Sequence, residues 1–265
     1  MKIGSCLLLL ATQEDPLAAS SIPLIASSGF DYAEVSLARV YSLSDQELLH
    51  YQNLFDQNHL PVEVFNNAIP RGLSLIGPKS DRAELSRYIK KAITLAKTMG
   101  VQIITMSGPN QRTVPDGFTW EEGFPQYIDF LKEYSDAAAA AGLSLAIEPI
   151  NHEEHGFIST IAEARRAAEA VGYSGLGVIV DTYHFDKEND SKEDLLAAAK
   201  ANVLFHIHHA TATDRAYPQE ADFSYSKETL QPLLAAGYTG RISVEAFTKT
   251  PGEDLPVTSR LLHTL

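Results

Sequence analysis

The chain has 265 residues, 45% of them hydrophobic, with a formal net charge of −13 and a pI near 5.1. That length and apolar content support one large core, and the acidic balance argues against broad contact with a nucleic-acid phosphate backbone. No stretch approaches the ~18 apolar residues of a membrane span, and the single cysteine, Cys6, rules out an internal disulfide and fits a reducing cytoplasm, the expected location.

The first apolar run, in MKIGSCLLLLATQ, is short, is followed by Glu14 and Asp15, and reads as a first strand rather than a secretory leader. Further strand-like runs begin near Phe30, Pro61, Val101, Leu143, Leu176, Leu204 and Arg241. Helix-like stretches separate them, with Asp81 to Met99 and Trp120 to Ala141 the clearest. Asp81 with Glu84 and Thr160 with Glu163 have capping-box spacing. Gly29, Gly100, Gly142, Gly172 and Gly240 each stand just before a strand and are expected to close the preceding helix.

Eight strand–helix units without a two-residue hairpin turn predict parallel strands. Eight is also the number that closes a (β/α)8 barrel, so the expectation is an α/β chain forming one TIM barrel over 1–265. A doubly wound open sheet is the alternative. It usually carries a glycine-rich phosphate loop after its first strand, and here that position reads SCLLLLATQ. The longest irregular segment, Ser107 to Thr119, follows the fourth strand and is expected at the C-terminal mouth, where barrel sites are built. About a dozen residues after Thr250 remain for the last helix.

Four runs end in a metal-competent side chain: LSLAIEPIN with Glu148, LGVIVDTYHF with Asp181, LFHIHHA with His208 and RISVEAF with Glu245. A buried strand does not end in a bare charge without cost, because an unpaired carboxylate in an apolar setting costs several kcal/mol or more. Taken singly, an acidic residue at a strand end reads more readily as a helix cap or a surface ion pair. Together, at matching depth, they point to one shared divalent-metal site, with Mn2+ first and Co2+ or Mg2+ also suited to oxygen and imidazole ligands. Strand alternation places Ser243 and Glu245 on one face, Ile179 and Asp181 on one face, and His206 with His208 opposite His209.

EPIN, DTYH, HIH and VEAF resemble the sugar isomerase/epimerase barrels of the xylose-isomerase-like superfamily, and most nearly the ketose 3-epimerases of the D-tagatose and D-psicose type. The resemblance implies one metal held by Glu148, Asp181, His208 and Glu245. It also implies substrate contacts from Glu154, His184 and Arg215, and Glu148 and Glu245 as the catalytic acid and base on strands opposed across the mouth. The family spacing from its metal histidine to its arginine is six residues, which fits His209 to Arg215. Strand alternation favours His208, and a one-residue loop insertion is cheaper than flipping a strand face. His206, one layer deeper, reads as a core histidine.

The expected activity is therefore C3 epimerisation of a ketose by two-carboxylate proton transfer through a metal-stabilised enediolate. A hydroxypyruvate or other aldose–ketose isomerase is the alternative. An endonuclease-IV-like hydrolase and a non-catalytic sugar binder are weaker ones: the first four strands, ending in SCL, SLA, FNNA and MSG, offer no further ligands, and both catalytic glutamates are present. The expected partner is a small sugar. With no glycine-rich nest after the seventh strand, although Arg215 lies there, an unphosphorylated sugar is favoured. The superfamily further implies a homo-oligomer, a dimer or tetramer, with no nucleic-acid or membrane partner.

Overall fold

The computed structural model describes residues 1–108, 113–154, 157–172 and 175–265. Eight parallel strands close into a barrel in chain order: β1 Lys2–Cys6, β2 Tyr32–Ser36, β3 Val62–Asn66, β4 Ile103–Met106, β5 Ser144–Ile147, β6 Leu176–Asp181, β7 Leu204–His209 and β8 Arg241–Val244. The ring closes where β1 pairs with β8, Lys2 beside Arg241 through Ser5 beside Val244. All eight expected runs are strands, and the open sheet is excluded.

The described helices are α1 Ile22–Ser27, α2 Leu37–Val40, α3 Asp45–Gln57, α4 Arg82–Met99, α5 Trp120–Ala140, α6 Ile161–Val171, α7 Thr182–Glu188, α8 Lys192–Lys200, α9 Phe223–Ala235 and α10 Pro251–Leu262. None is long and apolar enough to cross a membrane. Their starts follow the sequence. Thr160 and Glu163 form a reciprocal capping box on α6, while Asp81 caps α4 by accepting from the Ala83 and Glu84 amides without the reciprocal bond. Gly100 and Gly172 take the left-handed C-terminal conformation. Gly240 does not: α9 is closed by Gly237 at φ +102°, and Gly240 instead makes room for the Tyr238 ring. Residues 109–112 of the irregular segment after β4 lie outside the described residues.

Most of the core lies between barrel and helices, where outward-facing Val35, Phe65, Ile104, Leu145, Val178, Ile207 and Val244 meet the helical layer. The interior has a small apolar floor of Tyr32, Val64, Ile103, Ala146 and Ile179. Tyr32 lies against Gly4, where a Cβ would approach the ring to 2.3 Å, and its hydroxyl is 2.8 Å from Ser243 Oγ. Above this floor the interior turns polar, with Cys6, Glu34, Asn66, His206 and His208 all buried. At the opposite end, Glu63 pairs with Lys2 and with Arg241 Nε, tying β1, β3 and β8 together.

Candidate metal and sugar site

The strand ends bring Glu148, Asp181, His208 and Glu245 together. One donor atom from each lies within 4.8 Å of the others, and all four residues are buried. Glu148 follows β5, Asp181 ends β6, His208 is the penultimate residue of β7 and Glu245 follows β8. His208 Nδ1 is the common centre, 3.0 Å from Glu245 Oε2, 3.3 Å from Glu148 Oε1 and 4.0 Å from Asp181 Oδ2. β5 and β8 stand three strands apart in the ring, so the two glutamates approach from widely separated walls but are not diametrically opposed.

On the seventh strand His208 and His209 face opposite sides of the barrel wall. Asp181 pairs with His208 across β6 and β7, and His208 points into the barrel. His209 points outward, where Nε2 lies 2.9 Å from Ser226 Oγ and Nδ1 3.2 Å from Thr182 Oγ1, and the ring stacks on Tyr225. Burial without a charged partner pushes the His209 imidazole down to about 3.

Glu34 is the residue that the sequence did not single out. It sits in the middle of β2, wholly buried, with Oε1 2.7 Å from His208 Nε2 and Oε2 2.8 Å from His206 Nε2. His206 is thus packed in the core, as expected, but as a partner of Glu34. Burial would raise the Glu34 carboxyl, yet the two imidazoles outweigh it and hold it at about 2. Despite burial, the surrounding carboxylates hold the His208 imidazole well above its ordinary range; with a cation bound, Glu34 accepting the Nε2 proton would leave Nδ1 free to ligate it. The available signal was alternation: Tyr32, Glu34 and Ser36 share the inward face of YAEVS.

Asp181 does two jobs. Its Oδ1 accepts from the Tyr183 and His184 amides and caps α7, while Oδ2 receives Arg215 Nη2 at 2.6 Å. The same Nη2 lies 2.7 Å from Glu245 Oε2. Arg215 has φ +52°, a backbone region that a non-glycine residue occupies only when its surroundings hold it there. Phe247 donates its amide to the Arg215 carbonyl, and the guanidinium lies over the Tyr183 ring at 5.0 Å. Burial would push the Glu245 carboxyl up, but His208 and Arg215 hold it well below its ordinary range. At Asp181 burial prevails over Arg215 and His184, and the pKa is raised.

His184 and Glu154 complete this wall. The Asn151 carbonyl oxygen accepts from the Glu154 amide, which orients its side-chain NH2 toward His184 Nδ1 at 2.7 Å. That acceptor role leaves the His184 proton on Nε2, 3.8 Å from Asp181 Oδ2. The Glu154 carboxylate is 42% exposed and lies 3.8 Å from His184 Nδ1. Glu148, Glu154, His184, Arg215 and Glu245 all line a cavity of about 660 Å³ at the C-terminal mouth. That size lies within the range of about 300–1,000 Å³ usual for small-molecule pockets.

The donor set fits a divalent cation. Three carboxylates and one imidazole nitrogen converge at a buried point, and the cationic groups already there, His208 and Arg215, both bond to those carboxylates. Oxygen-rich sites with one imidazole suit Mg2+, Mn2+ or Co2+ rather than a thiolate-seeking metal.

Comparison with known proteins agrees with the geometry. The family model for the xylose isomerase-like TIM barrel matches residues 22–262. A probable ketose 3-epimerase from Synechocystis is 28% identical over 83% of this chain and 75% of its own length. An inosose isomerase from Halalkalibacterium halodurans is 25% identical over 83% of this chain and 79% of its own. The crystal structure of a D-psicose 3-epimerase in the presence of D-fructose superposes with a TM-score of 0.80 at 21% identity, covering 100% of this chain and 98% of that one. The chain belongs to the xylose isomerase-like TIM barrel family.

Proposed function

We propose that the protein is a divalent-metal-dependent isomerase that epimerises a ketose at C3, with Glu148 and Glu245 as the proton-transfer pair. The observation that carries this is the convergence of the two carboxylates on His208 Nδ1, at 3.3 and 3.0 Å, from walls three strands apart at the base of the sugar-sized cavity. The similarity to the ketose 3-epimerase from Synechocystis supports it.

The hydrogen on C3 of a ketose is acidic because the neighbouring C2 carbonyl accepts the electron pair that its removal leaves. One glutamate takes that proton from one face, the C3 electron pair forms a C2–C3 double bond, and negative charge moves onto O2. The other glutamate, carrying a proton, delivers it to the opposite face and inverts C3. Arg215 and the Nε2–H of His184 supply donors where charge develops. Asp181 and Glu34 hold Arg215 and His208 in place. A divalent cation held by Glu148, Asp181, His208 and Glu245 would supply Lewis-acid stabilisation of that charge, worth several kcal/mol.

The inosose isomerase relative favours one second reading, in which the same carboxylates move a proton between adjacent carbons of a cyclic ketone or an aldose–ketose pair. Incubating the Mn2+-loaded protein in D2O with fructose, psicose, tagatose, sorbose, ribulose, xylulose and inosose, followed by NMR, separates the two. Deuterium at C3 with a new ketose supports epimerisation. Deuterium at C1 or C2 with an aldose, or turnover of inosose alone, supports the isomerase.

A further inference from the structure

The cavity carries two arginines on the wall away from the ligand cluster. Arg39 lies in α2, directly after β2, and Arg71 lies in the segment after β3; both line the cavity that also contains Glu148, Glu245 and Arg215. In the closed ring β2 and β3 stand across from β6 and β7, the strands that carry Asp181 and His208. Cys6 ends β1 beside β2, the strand that leads into α2, and its Sγ is 3.6 Å from Glu245 Oε1.

Neither arginine has a carboxylate within 4.0 Å among the described residues, although acids outnumber bases 34 to 21 in this chain. Arg39 Nη1 donates to the Pro16 carbonyl at 2.6 Å, which fixes the half-buried side chain without neutralising it. The cavity-lining carboxylates of Glu148 and Glu245 have cationic neighbours, with His208 Nδ1 3.3 Å from Glu148 and Arg215 Nη2 2.7 Å from Glu245. Two guanidinium groups with no carboxylate partner among the described residues therefore line the pocket, Arg39 half-buried and Arg71 exposed. A guanidinium fork matches the oxygens of phosphate and carboxylate two at a time, whereas a sugar hydroxyl uses neither its charge nor its paired geometry.

We propose that the substrate carries an anionic group, a phosphate or a carboxylate, at the end remote from the reacting carbon, and that Arg39 and Arg71 hold it. Where the reacting carbon lies rests on the ketose-epimerase reading; the anion subsite itself does not. Binding at the far end would hold C3 between Glu148 and Glu245, so that part of the anion's binding energy appears as orientation of the reacting centre.

The test uses two readouts on the Mn2+-loaded full chain. Calorimetry with the non-reacting probes glucitol, glucitol 6-phosphate and gluconate reads binding without turnover. Deuterium exchange at C3 of fructose and fructose 6-phosphate in D2O reads turnover. The expected result is that at least one anionic probe binds about tenfold or more tightly than glucitol. Arg39→Gln and Arg71→Gln should each erase most of that preference and lower the ratio of kcat/KM for fructose 6-phosphate over fructose by a similar factor. Arg39→Lys should recover part of it. Tighter binding of glucitol 6-phosphate identifies the group as phosphate; tighter binding of gluconate, in a manner lost in the arginine variants, identifies it as carboxylate. Equal binding of all three probes, or an anion preference untouched by both glutamine variants, overturns the proposal even if fructose is epimerised. Anion binding lost in the variants, with no C3 exchange on any ketose, sustains the subsite and removes the epimerase reading.

Discussion

Glu34 Oε1 accepts from His208 Nε2 at 2.7 Å, wholly buried beneath the carboxylate cluster, so a residue from the second strand orients a histidine from the seventh. Glu34→Gln preserves shape but removes the charge that selects the His208 tautomer. Metal affinity should fall by about 10- to 100-fold, the usual cost of losing such an outer partner. Calorimetric Mn2+ titration checks this, and affinity equal to wild type would show that His208 is oriented without Glu34.

The two adjacent histidines should respond oppositely to truncation. His208→Ala removes the central donor of the cluster and should abolish stoichiometric Mn2+ binding. His209→Ala leaves the cluster intact but opens a cavity and strips partners from Thr182 and Ser226, so it should bind metal while losing about 2–4 kcal/mol of stability. Metal titration together with urea unfolding distinguishes them; the reverse order would place the ligand one residue later.

Arg215→Gln should separate metal binding from turnover. Arg215 Nη2 bonds to Asp181 and Glu245, two oxygens that a cation would also use, so its removal should leave Mn2+ affinity undiminished. Turnover should fall by about 10²–10³, the usual effect of deleting one donor to a developing oxyanion. Weaker metal binding with unchanged kcat would contradict this assignment.

The barrel floor makes a prediction independent of chemistry. A Cβ at residue 4 would meet the buried Tyr32 ring at 2.3 Å, and that ring is tethered through its hydroxyl to Ser243. Gly4→Ala should therefore cost about 1–3 kcal/mol, as overpacking of a tight core does. Urea unfolding reads this; a stability unchanged within about 0.5 kcal/mol would show that Tyr32 can move aside.

The fold was legible because eight apolar runs, the glycine-closed helices and the capping pairs all gave the same period. Where it was misjudged, at Gly240, the helix closed three residues earlier and the later glycine served side-chain packing, a contact between residues that spacing does not reveal. The acidic and histidine cluster was legible because its members stand at or next to the ends of apolar strand runs. Glu34 was not, because it lies mid-strand among Tyr32, Ala33 and Val35, and its meaning depends on histidines 172 and 174 residues away. Arg39 and Arg71 were equally silent, since their shared cavity wall exists only once β2 and β3 sit side by side.

The most direct measurement is deuterium incorporation at C3 of a turned-over ketose, made with wild type, Glu148→Gln and Glu245→Gln, each checked for bound Mn2+. Two-carboxylate epimerisation predicts deuterium at C3 in wild type and interconversion slowed by about 10²-fold or more in each variant. Deuterium confined to C1 or C2 with an aldose product, or undiminished C3 exchange and interconversion in both variants, would contradict it.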